Sequence, residues 1–352
     1  MKSRLINQLI KRITHLPKGI DRPKYIQNSF KLTIARKIKS LRQPYPNAIM
    51  LEITNLCQLH CKTCAREYSY GQAMDKGHMD IKNAKKVIDE CHVYLDKIAL
   101  TGLGEPLLYP HLKELVEYIR EKNKGVLLFL STNAMHKKSV EIIEGIADKV
   151  DTVQVSIDGW HDTFQDIREG SDFEQFEKNV RGIVDVSEKN AFDIKLNMVV
   201  FEDNYKEMKR IISFANEHDL KEVCFNSFNL VSVDNPAHTY NFYNSNEFKN
   251  EINEAIKLAQ QLGIHLEYPN LRKKNSFSTC SYPWSNYTIT WDGYLVPCCA
   301  KPFPKELHFG NVFRDGLLTC INHHELVNFR KLAKRNITPG FCKNCHHVGT
   351  IV

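Results

Sequence analysis

The chain has 352 residues, 42% of them hydrophobic, a net charge of +7 and eleven cysteines. That length supports one large domain and a smaller one around a substantial core. No run approaches the ~20 consecutive apolar residues of a membrane-spanning helix. An odd cysteine count, close C-x-x-C pairs and no secretory signal argue against a disulfide framework and for reduced, metal-binding thiols in a cytoplasmic setting.

Charge is unevenly distributed. Residues 1–49 hold twelve Lys or Arg against the single acid Asp21, or +11, and the rest of the chain carries −4. Within this extension, residues 1–47, Leu5, Ile6, Leu9, Ile10, Ile13 and Leu16 recur at helical spacing beside Lys11 and Arg12. The pattern suits an ordinary helix packed on the main domain, a basic amphipathic helix in peripheral contact with an anionic membrane, or a mitochondrial presequence. No nucleic acid partner is expected.

From residue 48 onward, strand-like runs alternate with helical periodicity. Met50–Ile53, Lys97–Thr101, Val126–Leu130, Thr152–Ile157, Ile194–Val200 and Val223–Phe228 read as strands. Ala84–Cys91, Leu112–Lys122, Val140–Ala147, Phe173–Val186 and Tyr205–Glu217 read as the intervening helices, and Glu247–Leu262 leads out toward a C-terminal domain. Six βα units predict an α/β fold, a partial (β/α)6 barrel over residues 48–268. Lys, Asn and Ser near Pro269–Ser278 interrupt the periodicity, so residues 269–352 read as a separate small domain.

Loops at the carboxyl ends of parallel strands build active sites. After the first strand comes Cys57-Gln-Leu-His-Cys61-Lys-Thr-Cys64. Three thiolates there can hold a four-iron cluster by three corners and leave the fourth iron open, whereas a closed structural site needs a fourth ligand nearby. After the second strand comes Thr101-Gly-Leu-Gly-Glu105-Pro106, whose glycines permit close backbone approach. The next two strands end in Ser131-Thr132-Asn133 and Ser156-Ile157-Asp158, which read equally well as local caps or as ligand contacts.

The cysteine spacing and the glycine loop one βα unit later resemble the radical S-adenosylmethionine (radical SAM) enzymes. The resemblance implies a [4Fe-4S] cluster on Cys57, Cys61 and Cys64, and S-adenosylmethionine (SAM) chelating its open iron. It implies SAM contacts from Gly102, Gly104, Glu105, Ser131, Asn133, Ser156, Asp158, Arg168 and Asn197. Arg168 reads alternatively as a surface ion pair with Glu169 or Glu174, and Asn204 as a further contact or as an N-cap. Where many relatives place an aromatic residue before the third cysteine, this chain has Thr63, with Phe225 a candidate to compensate. In the family, one-electron cleavage of SAM yields a 5′-deoxyadenosyl radical that abstracts substrate hydrogen, with a flavodoxin- or ferredoxin-like electron donor implied.

At the C-terminus, Cys280, an Asp292-Gly293 hairpin over Tyr287–Val296, Cys298, the helical stretch His323–Leu332 and Cys342-Lys-Asn-Cys345 form an array that suits zinc or an iron–sulfur cluster. The array resembles the SPASM or "twitch" extension of radical SAM enzymes, with Cys280, Cys298, Cys342 and Cys345 holding one auxiliary [4Fe-4S] cluster. Its spacing is similar to that of 2-deoxy-scyllo-inosamine dehydrogenase-like members. The expectation is therefore an oxidoreductase acting on a hydroxylated carbon of a sugar or cyclitol. The alternatives are a peptide- or protein-modifying maturase, a thiol-dependent epimerase with Cys299 as hydrogen donor, or a non-enzymatic metal-binding module. Cys91, Cys224 and Cys320 read as core residues, and His323-His324 and His346-His347 as solvated.

Overall fold

The computed structural model describes residues 16–233, 238–268, 276–343 and 345; the predicted Leu5–Ile13 repeat and His346-His347 lie outside the described residues. The chain divides into two compact units: Met1–Leu56 with Met74–Leu130 and Ser276–Lys343, and Cys57–Ala73 with Ser131–Asn275 and Asn344–Val352.

In the first unit, β1 (Ala48–Leu51), β3 (Lys97–Leu100) and β4 (Leu127–Thr132) run parallel in register, Met50 opposite Ala99 and Ala99 opposite Phe129. Their apolar runs suit a sheet covered on both faces. Helix Ile81–Cys91 starts where Asp80 accepts the backbone N–H groups of Lys82 and Asn83. It buries Ala84, Val87, Ile88 and Cys91, one face at helical spacing. Helix Leu112–Lys122 does the same with Leu112, Leu115, Val116 and Ile119.

The predicted C-terminal hairpin forms from β10 (Thr288–Ile289) and β11 (Leu295–Val296) around Gly293 at φ +93°. The sequence does not indicate its docking: β10 lies parallel beside β1, with the Met50 N–H donating to Tyr287 O (3.0 Å) and the Glu52 N–H to Ile289 O (2.9 Å). Helix Asp21–Lys37 is an addition to the predicted helices.

In the second unit, β5 (Thr152–Ser156), β7 (Asp193–Val200) and β8 (Glu222–Ser227) are parallel neighbours. After helix Asn246–Gln261 the chain does not leave for the C-terminal segment at once. It first adds β9 (His265–Glu267) in parallel to β8. A short antiparallel pair, β2 (His60–Cys61) with β6 (Arg168–Glu169), sets Cys61 opposite Arg168. Phe164, Phe173, Phe176 and Phe214 are fully buried, each stabilising the unit by ~1.5–3 kcal/mol of apolar transfer. Parallel strands alternating with helices match the α/β partial barrel expected from the sequence.

Candidate cluster and cofactor site

The three-cysteine loop is held by bonds to its own backbone and to one sulfur. Cys57 Sγ accepts from the Leu59 N–H (3.5 Å) and from Asn133 Nδ2 (3.4 Å), while Asn133 Oδ1 accepts from Gln58 (3.1 Å). The Cys64 N–H donates to Cys61 O (3.0 Å). Arg66, two residues past the last cysteine, folds back into the loop and is buried. Its guanidinium donates to Cys57 O (3.0 Å) and Leu59 O and pairs with Glu67 (2.6 Å), which also meets His60 (2.9 Å). Helix Ser69–Gln72 closes over it at Gly71, where a Cβ would stand 2.2 Å from Ala65 O and 2.4 Å from Arg66 Cα.

Burial pushes the Cys61 thiol up to about 12 and the Cys64 thiol up to about 11, against the pull of the Arg168 and Arg66 guanidiniums respectively. Such thiols give up their protons when a metal shares the charge. Among the described residues no three His, Cys, Asp or Glu side chains stand close enough to hold a single metal ion. A four-iron cube holds its thiolates further apart than one ion does, and sulfurs accepting N–H bonds are its usual surroundings. Three thiols on one short loop, with Cys57 Sγ accepting two N–H bonds, fit three corners of a four-iron cluster.

Asp158 and Arg168 find each other. Arg168 Nη1 sits 2.6 Å from Asp158 Oδ2, both side chains at least nine-tenths buried. The alternative reading of Arg168, a surface pair with Glu169 or Glu174, does not hold, because β6 turns the arginine inward beside Cys61. The neighbouring carboxylate and sulfurs raise its already high pKa. Asp158 Oδ1 accepts from the Val199 N–H (2.8 Å), and Asn204 Nδ2 donates to Asp158 O and Val199 O (both 2.8 Å). Asn204 thus ties two strand ends together, and its side chain caps no helix. Asn197, opposite Ser156, accepts from Asn226 Nδ2 (2.6 Å), and Ser131 Oγ accepts from Gln154 (3.4 Å).

In the first unit the glycine loop is packed against the end of β1. A Cβ on Gly104 would meet Thr54 O at 2.4 Å and both Asn55 Cα and Leu56 O at 2.7 Å. The Glu105 N–H donates to Leu56 O (2.8 Å), and its buried carboxylate accepts from the Leu107 N–H (3.0 Å), capping a short turn. Sequence reasoning missed Glu52. Its Oε2 accepts from the Leu103 N–H (2.9 Å), it fills the space a Gly102 side chain would need, and the side chain is buried. Burial raises its pKa to about 7 although the Leu103 and Trp291 amides favour the charged form. An acid on a strand otherwise made of core residues was the available signal.

Around the C-terminal array, burial raises the Tyr282 pKa, and the Cys299, Cys298 and Cys280 thiols raise it further. Cys299 Sγ accepts from Asn286 Nδ2 (3.5 Å) and burial raises its pKa. Lys301 donates to Phe341 O (3.1 Å) beside Cys342. Cys345 is half-buried, and Cys91, Cys224 and Cys320 are buried as expected for core residues. A cavity of about 440 Å³ in the first unit is lined by Asp75, Asp292, Tyr294, Lys305, Glu306 and His308, among others.

Residues 51–215 match the Radical SAM superfamily, and residues 280–346 match the SPASM iron–sulfur cluster-binding domain. The chain is 26% identical over 338 residues to the antilisterial bacteriocin subtilosin biosynthesis protein AlbA of Bacillus subtilis, covering 87% of this chain and 68% of that protein. Streptococcus suis SuiB bound to precursor peptide SuiA shares the fold at a TM-score of 0.67 and 16% identity, over 92% of this chain and 74% of that one. BtrN in complex with AdoMet and 2-DOIA gives 0.51 and 14%, over 86% and 94%. A radical SAM domain implies a [4Fe-4S] cluster and SAM, and a SPASM domain implies auxiliary iron–sulfur clusters.

Proposed function

We propose that this chain, which carries a radical SAM domain followed by a SPASM domain, is an enzyme that modifies a peptide or protein substrate by hydrogen abstraction. The observation that carries the substrate class is the similarity running through both domains to a bacteriocin biosynthesis protein, supported by the fold shared with a protein holding its precursor peptide. The sugar or cyclitol oxidation expected from the sequence becomes the second reading, which rests on the four-cysteine array of Cys280, Cys298, Cys342 and Cys345. In this reading residues 48–268 form the partial barrel and residues 269–352 the auxiliary-cluster domain.

Cys57, Cys61 and Cys64 would hold the first cluster. Gly102, Gly104 and Glu105 in the first unit, and Ser131, Asn133, Ser156, Asp158, Arg168 and Asn197 in the second, would each contribute SAM contacts. Cluster and SAM, when bound, supply the radical that removes a substrate hydrogen. The chain's own contribution is to orient: Arg66 fixes the carbonyls of the cysteine loop, Asn133 donates to Cys57 Sγ, and the Asp158–Arg168 pair braces β6 against β7 through Val199. The Gly104 backbone, with no Cβ, leaves the loop free to lie on residues 54–56.

The test is anaerobic reconstitution with iron and sulfide, followed by SAM cleavage measured with a peptide library and with a panel of cyclitols and hexoses. About eight irons per chain, falling to about four in Cys57/Cys61/Cys64→Ala, are expected. Cleavage accelerated by peptides carries the reading. Acceleration by cyclitols alone replaces it with the second reading, and zinc with little iron removes both.

A further inference from the structure

Helix Asp21–Lys37 has a feature that the radical chemistry does not use. It buries Asn28, Leu32 and Ala35, while three other large apolar side chains face away: Ile26, Phe30 and Ile34 are 55%, 68% and 43% exposed. These three recur every fourth residue and so form one stripe along the helix. Ile20 before it and Ile38 after it are 75% and 62% exposed. Five of the eight large exposed hydrophobic residues found among the described residues therefore lie in or beside this one helix. Scattered singly they would need no explanation, but a contiguous apolar surface does.

The side chains beside the stripe are basic. Arg22, Lys24, Lys31 and Lys37 are all exposed on the same helix. Asp21, the one acid of residues 1–49, is paired to Lys24 at 3.0 Å. The strongly positive segment thus coincides with the exposed apolar stripe, while residues 50–352 are net negative. An apolar centre flanked by Lys and Arg is the pattern of a helix lying in a membrane interface, its apolar face at the acyl boundary and its cations on lipid phosphates. An exposed helix face is also a ridge rather than a groove. A fluid bilayer accommodates a ridge, whereas a folded partner must supply a matching concavity.

We propose that the Asp21–Lys37 helix docks the protein on an anionic lipid bilayer, with Ile26, Phe30 and Ile34 inserted and Arg22, Lys31 and Lys37 on the headgroups. No helix among the described residues is long and apolar enough to cross a membrane, so the contact is peripheral. It places the enzyme at a surface and leaves the chemistry of the cysteine loop as it is.

The experiment is co-sedimentation of the full chain with vesicles of phosphatidylcholine plus phosphatidylglycerol, and with phosphatidylcholine alone, at low and high salt. Light scattering is run in parallel. Binding to the anionic vesicles that weakens with salt is expected. It should fall about tenfold or more in Ile26→Ser/Phe30→Ser/Ile34→Ser, with SAM cleavage unchanged. The proposal is overturned if the chain ignores anionic vesicles, or if the triple variant binds them as well as the parent. It is equally overturned if the triple substitution turns a dimer into a monomer while neither protein binds lipid, since the stripe would then cover a second copy. Arg22→Gln/Lys31→Gln/Lys37→Gln keeps the stripe, and salt-sensitive binding unaltered in that variant would also count against the proposal.

Discussion

Replacing Arg168 by Met should destabilise the protein severely through the carboxylate it leaves behind. Asp158 and Arg168 meet at 2.6 Å, with 2% and 8% of their side-chain surfaces exposed. Removing one partner of such a pair strands a buried charge, which costs about 3–5 kcal/mol. The Asp158 carboxylate then keeps the Val199 N–H at 2.8 Å. At ~2–4 °C per kcal/mol for a cooperative unit of this size, the loss corresponds to a drop in Tm on the order of 10 °C. Arg168→Met/Asp158→Asn removes both charges, keeps an acceptor for Val199, and should recover most of the loss. Thermal unfolding followed by circular dichroism on iron-free protein measures these two variants and Asp158→Asn alone without interference from the cluster. A coupling energy of about 2 kcal/mol or more is expected; single-variant losses that add within ~0.5 kcal/mol would refute the pairing argument.

Glu52→Gln should change the pH dependence of stability. Burial raises the folded-state pKa from 4.5 to about 7, so between those values the folded chain holds a proton that the unfolded chain releases. Glu52's contribution is fully present below pH 4.5 and is lost as pH rises through 7, by about 3 kcal/mol in all. The variant's urea midpoint should therefore gain on the parent's from pH 5 to pH 8, and parallel curves would contradict this. Gly104→Ala puts a methyl group against backbone atoms that cannot swing aside. The overpacking costs about 1–3 kcal/mol, and SAM affinity measured by equilibrium dialysis should fall about tenfold or more with iron content unchanged. Arg66→Met removes two hydrogen bonds to loop carbonyls, each worth about 1.5–3 kcal/mol from a charged donor. Iron bound per chain after reconstitution should drop, and Arg66→Lys should restore it only in part because an ammonium cannot match the planar fork; full retention in the Met variant would remove the bracing role.

Element order was legible because strand and helix periodicities record which side chains face a core. All six predicted strands and the helices between them formed, most within a few residues of their predicted ends. The cysteine spacing was legible for a covalent reason, since three thiolates on one short loop need no long-range folding to come near one another. Long-range pairing was not. Asp158 and Arg168 each stand out in the sequence, but their mutual ion pair depends on β6 pairing with the cysteine loop. Arg66 and Glu52 are not legible in the sequence because nothing local says that a guanidinium two residues past a cysteine turns back, or that an acid at a strand end faces a glycine loop.

The βα alternation, the three-cysteine and glycine loops and the C-terminal cysteine array are all readable from the amino-acid sequence. These follow from short-range spacing. Tertiary structure alone decided that β10 joins β1, that β9 extends β8, and which face of helix Asp21–Lys37 is buried. Ile26, Phe30 and Ile34 share the helical period of Asn28, Leu32 and Ala35. A period says that residues share a face, and only the packing of the rest of the chain says which face meets the core.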